Sequence, residues 1–452
     1  MSSGTNLAVG AVVARTLPIE DFGAFSIAFV VYTFAIRAGP MGRSPPELVP
    51  FTRVATSRDI PMRIIVAHSF YRIAGGEDRY VRQQVELLAR SHVVHLEERV
   101  NAELHEGFRT AVGMFHAPRE RQAIGRVLRE FRPDVVHLHN PYPSMGPAVH
   151  LTADSAGVAL VQTVHNSRLR CPNGLMFTEG APCTRCVGGR YDQAVRHGCF
   201  PMRTQAAAYA SALWLNRFAR RLDGRVDLYV APSRFVGRRL VEWGIPAERT
   251  TVVRNFTFPP DPPPPLGERG LYLGRLSAEK GIATLLEALK LAGDPPFDIV
   301  GGGPDAASLA AYVSSLGLCR TRLLGPVVSA EVPRIIEGAR YAVIPSTWDE
   351  NAPLAALETM AAGRPIVASD VGGLPELAED GRGRLVRPGD AGSLAEAVER
   401  YAGDSRAAEG DGIRAREFVV GQCSPEGHRD ALEAAYASAI ARVQRNGSIR
   451  TT

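Results

Sequence analysis

Tyr341–Ala368 reads YAVIPSTWDENAPLAALETMAAGRPIVA. Tyr341–Ile344 is an apolar run of strand length, and a polar loop follows it from Ser346. Pro353 then falls where proline is favoured, at the first position of a helix that ends before Gly363. Ile366–Ala368 supplies the next buried strand. A strand, a short helix and a second strand in this order predict a βαβ unit on a parallel sheet. The helix start would leave backbone amides around Ala352–Ala355 without partners, an anion site suited to a pyrophosphate. Glu350 lies in the loop before the helix, and Glu358 sits ~7–8 Å further along it at ~1.5 Å per residue. A ribose attached to that pyrophosphate reaches about this far, and a carboxylate accepts from both of its hydroxyls. Glu350, on the other side of the phosphates, is placed to accept from a sugar.

The same alternation runs outward in both directions. Upstream, strands are predicted near Arg63–Ala67, Val93–Leu96, Val135–Leu138, Leu160–Val164, Leu228–Ala231 and Thr251–Arg254, with helices near Glu77–Ala89 and Glu120–Phe131. Pro259-Pro260-Asp261-Pro262-Pro263-Pro264-Pro265 interrupts them, a run that suits neither helix nor central strand and acts as a semi-rigid spacer. Strands resume near Gly270–Leu273, Phe297–Val300, Arg322–Leu324 and Leu385–Val386. The expected fold is α/β, with two Rossmann-like domains facing a cleft, at residues 62–258 and 270–424, joined by a hinge at 259–269. A terminal helix and tail, 425–452, is expected to pack back across the hinge.

The 452 residues contain 45% apolar and 22% charged residues, which excludes a disordered or polytopic membrane chain. A net charge of +5 gives no argument for nucleic acid. Lys280 and Lys290 are the only lysines, so Lys280 stands out in a glycine-bounded loop. Residues 1–61 are read as an atypical extension, either a fusion scar or overlong start or a working anchor, with the folded chain beginning at Met62. The apolar run Phe22–Ile36 falls short of the ~20 residues of a membrane helix, and no signal-peptide pattern surrounds it. Its surroundings, ARTLPIEDFGAFSIAFVVYTF, resemble the start of polysaccharide flippases of the O-antigen exporter type.

Glu350-x7-Glu358, followed by MAAG and PIVASDVGGLPEL, resembles the signature of the family 4 (group 1) retaining glycosyltransferases of GT-B fold. GRLSAEKG (Gly274–Gly281) resembles the family's phosphate-binding loop, which implies Arg275 and Lys280 on a donor pyrophosphate. IVGGGPD (Ile299–Asp305) resembles its glycine-rich turn and places Gly302 at the donor, and Asn255-Phe256 resembles the segment that precedes the interdomain linker. The resemblance implies donor contacts at Asn351, Ala352, Pro353, Leu354 and Glu358. It also implies metal-independent transfer from a nucleotide-diphosphate sugar to a glycan or polyprenyl-linked acceptor, in the cytoplasm or on the inner face of the membrane. Many members carry EGFG where this chain has ENAP, Glu350–Pro353. A sugar-nucleotide epimerase of the same architecture and an inactive sugar-nucleotide-binding partner are the alternatives.

In the first half, Gly75-Gly76 follows a strand and opens a helix, so a ligand can approach the backbone closely. The resemblance places this loop over the sugar and phosphates, and makes His165, at the end of a strand, the histidine that contacts the transferred sugar. His137 is expected in the core and His139 at the cleft. Cys171, Cys183, Cys186 and Cys199 fall in a loop, 166–200, with spacing C-x11-C-x2-C-x12-C. A structural zinc, disulfides and buried thiols are all compatible with that spacing. Arg217, Arg220, Arg221, Arg225, Arg234, Arg238 and Arg239 suggest either a basic face for anionic lipid or a solvated helix surface.

Overall fold

A computed structural model describes residues 61–71, 75–101, 114–115 and 117–450. The expectations for the N-terminal extension up to residue 60 lie outside the described residues. In the first half β1 (Arg63–Phe70), β2 (Val93–Val100), β3 (Val135–Leu138) and β4 (Ala159–Thr163) are followed by a small hairpin, β5 (Phe177–Thr178) and β6 (Ala181–Pro182), and then by β7 (Leu228–Ala231) and β8 (Thr250–Val252). The second half contains β9 (Arg269–Leu273), β10 (Phe297–Val300), β11 (Thr321–Gly325), β12 (Ala339–Ile344), β13 (Ile366–Ser369) and β14 (Gly383–Val386). The two large sheets are parallel and six-stranded, ordered β2-β1-β3-β4-β7-β8 and β11-β10-β9-β12-β13-β14. The strand order reverses at β1 in one sheet and at β9 in the other, and ligand clefts of such sheets lie beyond the carboxyl ends of the strands at these points. Central strands such as β3, VVHL, and β13, IVAS, are buried on both faces, hence their mostly apolar residues without alternation.

Each strand expected from the sequence is present, most with ends shifted by one to three residues. One local expectation is corrected. Pro353 is not the first helical residue: its φ of −68° and ψ of 126° are extended, and the helix spans Leu354–Ala361 with Pro353 as N-cap. The terminal helix, Pro425–Arg450, returns to the first half and packs on β3, β4, β7 and the helix Gly76–Leu88. One core therefore runs through both halves: Leu432, Tyr436 and Ala439 of the returning helix join Ile64, Val66 and Val81 of the first half and Leu354, Leu357 and Met360 of the second.

The end of the proline spacer is fixed by Arg364, which is fully buried and forms no ion pair among the described residues. Its guanidinium donates to the carbonyls of Ala339 at 3.1 Å, Pro264 at 2.9 Å, Pro265 at 2.5 Å and Glu337 at 2.9 Å, and also to that of Ala362. Burial pushes its pKa down to about 10, so it still carries its charge at neutral pH. Arg364→Met would leave these carbonyls buried without donors, each a cost of about 1–3 kcal/mol. The expected result is a loss of at least about 3 kcal/mol in thermal unfolding; an unchanged melting temperature would show that the spacer is held some other way.

Candidate functional site

In the second half the loop after β9 and the loop after β12 are pressed together. Gly281 adopts φ +68°, and a Cβ there would lie 2.0 Å from the Pro345 carbonyl oxygen. Glycine at this point lets the Lys280 loop reach the loop that carries Glu350. Lys280 Nζ lies 2.6 Å from Glu350 Oε1, and the same oxygen accepts from Ser346 Oγ at 2.6 Å and Trp348 Nε1 at 3.0 Å. Burial of Glu350 would raise its pKa, but the Lys280 charge and these hydrogen bonds outweigh it and hold the carboxyl below its ordinary value. Arg275 stands at the rim of the same loop, exposed, with its carbonyl fixed by the Tyr272 hydroxyl at 2.7 Å. Gly302 accepts from the Leu276 amide at 3.0 Å, which lays the glycine-rich turn against the phosphate-loop candidate.

The Leu354–Ala361 helix points its start at the first half, where a Cβ on Gly76 would meet Leu354 Cδ1 at 3.9 Å. Leu354 and Ala355, as its first residues, have no intrahelical acceptor for their amides. Gly75 and Gly76 are exposed at the opposite helix start. Glu358 forms an ion pair with Arg79 of the first half, a residue the sequence reading did not single out. Its Oε2 is buried with no hydrogen-bond partner among the described residues, and burial raises its pKa despite the opposing Arg79 charge. Asn351 donates its side-chain amide to the His165 carbonyl, and Asn255 donates to the Ala352 carbonyl at 2.9 Å. Asn351 is thus engaged by protein backbone across the cleft.

Glu376, also missed, accepts from the Phe235 amide at 2.7 Å and the Arg234 amide at 3.1 Å, at the start of the helix Arg234–Glu242, and pairs with Arg254 at 3.2 Å. A carboxylate at a helix start is favourable. Its place in the GGLPEL stretch was the available signal. Glu77 is a third omission. It accepts from the Tyr71 hydroxyl at 3.2 Å, its buried Oε1 lies 4.0 Å from His68 Nδ1 with no hydrogen bond among the described residues, and burial raises its pKa.

His165 lies two residues beyond β4, partly exposed, with Nε2 at 2.8 Å from His139 Nδ1. His137 is fully buried between Tyr436 and Thr163, as its strand position implied. Cys171, Cys183, Cys186 and Cys199 are free thiols that line one small cavity. Burial, with the other three thiols adding to it, pushes Cys186 up to about 12. Among the described residues no three His, Cys, Asp or Glu side chains are gathered closely enough to bind one ion as placed. The arginine face is largely consumed internally: Arg217 bonds the Val187 carbonyl and the Tyr191 hydroxyl, Arg220 bonds Asn216 and Phe115, Arg225 pairs with Asp154, Arg234 with Glu376, and Arg239 with Asp349. Arg221 and Arg238 remain exposed. Among the described residues no helix is long and apolar enough to cross a membrane.

Residues 74–257 match the model of "Glycosyltransferase Family 4", and residues 267–404 match that of "Glycosyl transferases group 1". The chain is 30% identical over 305 residues to the glycogen synthase of Mycobacterium tuberculosis, covering 65% of this chain and 66% of that protein. It is 32% identical over 208 residues to the alpha-maltose-1-phosphate synthase of Mycolicibacterium smegmatis, covering 39% of this chain and 54% of the relative. The chain thus spans less than two thirds of either relative. Among solved structures, Anabaena HepE in complex with UDP and glucose superposes with a TM-score of 0.60 at 18% identity, over 83% of this chain and all of that one. Two facing parallel-sheet domains with these matches in tandem make the chain a member of the group 1, family 4 glycosyltransferases, with the GT-B fold.

Proposed function

We propose that the protein transfers a sugar from a nucleotide-diphosphate sugar to a glycan or polyprenyl-linked acceptor, with retention of anomeric configuration and without a catalytic metal. The observation that carries this reading is Glu358, a carboxylate of the donor half that has one oxygen on Arg79 and the other buried with no hydrogen-bond partner among the described residues. An unmet buried acceptor costs about 1–3 kcal/mol, a cost that a ribose hydroxyl would remove on binding. Arg275, Lys280 and the amides at Leu354 would then meet the pyrophosphate, whose charge grows as the glycosyl bond breaks. These cations do the work that a divalent metal does in other transferases. No described residue bonds Glu350 Oε2, which leaves it to accept from the donor sugar. His165 and the Gly75-Gly76 loop meet the sugar from the other side. Retention without a protein nucleophile fits front-face attack, in which the departing phosphate takes the acceptor's proton. The glycogen synthase name of one relative and the UDP and glucose of HepE support a nucleotide-sugar donor.

A thermal-shift screen over UDP-, GDP-, ADP- and dTDP-sugars should find one donor that adds about 2.7 kcal/mol at 100 times its dissociation constant. No shift with any of them would sink the reading. With that donor, Lys280→Ala and Glu358→Gln should each lower turnover at least about tenfold while leaving the fold intact, and NMR of the product should show the donor's anomeric configuration. Wild-type rates in both variants would remove these residues from the site.

Donor binding should also depend on the ionisation of Glu358. Only the carboxylate accepts from both ribose hydroxyls, and its pKa is raised, so affinity should begin to fall at a pH above the ordinary glutamate value of about 4.3. Glu358→Gln should bind weakly at every pH and lose that inflection; an inflection that persists in the variant belongs to another group.

For the cysteine loop we propose a structural zinc, supported by the four thiols around one cavity and requiring their side chains to rotate towards a common centre. Elemental analysis should find about one zinc per chain. Metal-free protein with four reactive thiols would eliminate it.

A further inference from the structure

The first half buries a continuous polar chain that the transfer mechanism leaves unexplained. His165 Nε2 meets His139 Nδ1 at 2.8 Å, and His139 Nε2 meets Gln84 Oε1 at 2.9 Å. The Gln84 amide nitrogen lies 2.9 Å from the Tyr80 hydroxyl and 3.3 Å from His428 Nε2. The Tyr80 hydroxyl lies 3.1 Å from the same His428 nitrogen, and His428 Nδ1 lies 2.7 Å from the Arg254 carbonyl oxygen. Tyr80, Gln84, His139 and His428 are each at most 4% exposed.

The carbonyl at one end sets the direction of every bond. A carbonyl only accepts, so His428 carries its proton on Nδ1. Burial pushes His428 down to about 4, so near neutral pH its Nε2 is unprotonated and accepts. The Tyr80 hydroxyl therefore donates to it, and the Gln84 nitrogen, 3.3 Å from the same lone pair, donates to the Tyr80 oxygen. Turning the Gln84 amide over would set its oxygen against the His428 lone pair. Gln84 Oε1 is thus directed at His139 and accepts from Nε2–H. Burial holds His139 well below its ordinary pKa, so its Nδ1 bears a lone pair and accepts from His165 Nε2–H.

We propose that Tyr80, Gln84, His139 and His428 are positioning residues that hold His165 as its Nε2–H tautomer, with the Nδ1 lone pair presented to accept from a hydroxyl of the bound sugar. The sugar in this statement rests on the transferase reading; the tautomer does not. No described residue bonds His165 Nδ1, and burial keeps the ring neutral, down to about 3. The chain of bonds also joins His165 to the connection between the halves. Arg254 precedes Asn255, which holds the Ala352 carbonyl, and His428 sits on the returning helix. The sugar-facing ring is therefore oriented from the same backbone that fixes the donor loop.

The test is histidine-selective 15N and 13C NMR on the full chain, with His165, His139 and His428 assigned by single substitution. The expected pattern is Nε2–H at His165 and His139 and Nδ1–H at His428. Gln84→Met removes donor and acceptor together; it should give mixed tautomers at His165 and at least about tenfold lower kcat, with the donor KM changed less than about twofold. Gln84→Glu, a neutral carboxylic acid when buried, can donate and accept as the amide does, and should restore both readouts. An Nδ1–H signal at His165 in the unaltered chain would overturn the assignment. Mixed tautomers in Gln84→Met with undiminished kcat would overturn the positioning role. If no sugar nucleotide is turned over at all, the NMR pattern still decides the tautomer, so a failed donor reading and a failed positioning reading are told apart.

Discussion

Glu350 is a carboxylate buried to 6% exposure between two sheet-end loops, and several parts of the second half are arranged so that its charge can exist there. An unpaired carboxylate in such a place would take up a proton instead. Lys280, Ser346 and Trp348 all donate to one of its oxygens. Bringing them together requires backbones to touch. Gly281 passes against Pro345, and Gly372, at φ +62°, passes where a Cβ would lie 2.3 Å from the Glu350 carbonyl oxygen. The Gly373 amide donates to that oxygen at 2.6 Å. The glycines of two separate motifs thus serve one ion pair, and Lys280 owes its place to it.

The second constraint is that the halves do not meet as two independent lobes. The returning helix and the Leu354–Ala361 helix share a core with the first sheet, so the apolar contact under the cleft is continuous. Polar bonds sit above that contact: Arg79 with Glu358, Asn351 with the His165 carbonyl, Glu376 with the start of the Arg234 helix. Each crosses from one half to the other. A domain motion that opened the cleft would have to break charged bonds while sliding along the apolar core, which favours a pivot at the linker and the returning helix over full separation.

Strand positions and sheet class were legible because buried parallel strands are short apolar runs bounded by turn residues, as in VVHL and IVAS. Helix ends were less so: Pro353 satisfies the rules for a first helical residue and for an extended N-cap, and composition does not choose between them. Two of the residues missed, Arg79 and Glu376, act on partners 279 and 141 positions away in the chain, and local spacing does not reveal such pairs. Glu77 was missed although its partner, Tyr71, is only six residues away. Trp348, two residues before Glu350, was in view but gave no reason to expect its indole on the carboxylate. The arginine cluster shows the opposite error. It read as an open face, for anionic lipid or for solvent, because sequence counts charges, whereas the fold gives five of the seven partners within the chain, though Arg234 and Arg225 stay partly exposed.

The pairing of Lys280 with Glu350 bears on whether that lysine is still available to a phosphate. An ammonium has three donors, and one is directed to Glu350 Oε1 while the group also lies 4.9 Å above the Trp348 ring. Two donors remain, so the lysine need not leave Glu350 to meet an anion. The carboxylate fixes the direction of the remaining N–H groups, as preorganisation requires. The pair is neutral as a unit, however, so it attracts an incoming pyrophosphate only at short range. Arg79 is likewise neutralised by Glu358. That leaves Arg275, exposed and without a carboxylate partner among the described residues, as the charge felt from solution. In the proposed reaction, long-range attraction and short-range orientation would then belong to different residues of one loop: Arg275 would draw the anion in, and Lys280, held by Glu350, would set its final geometry.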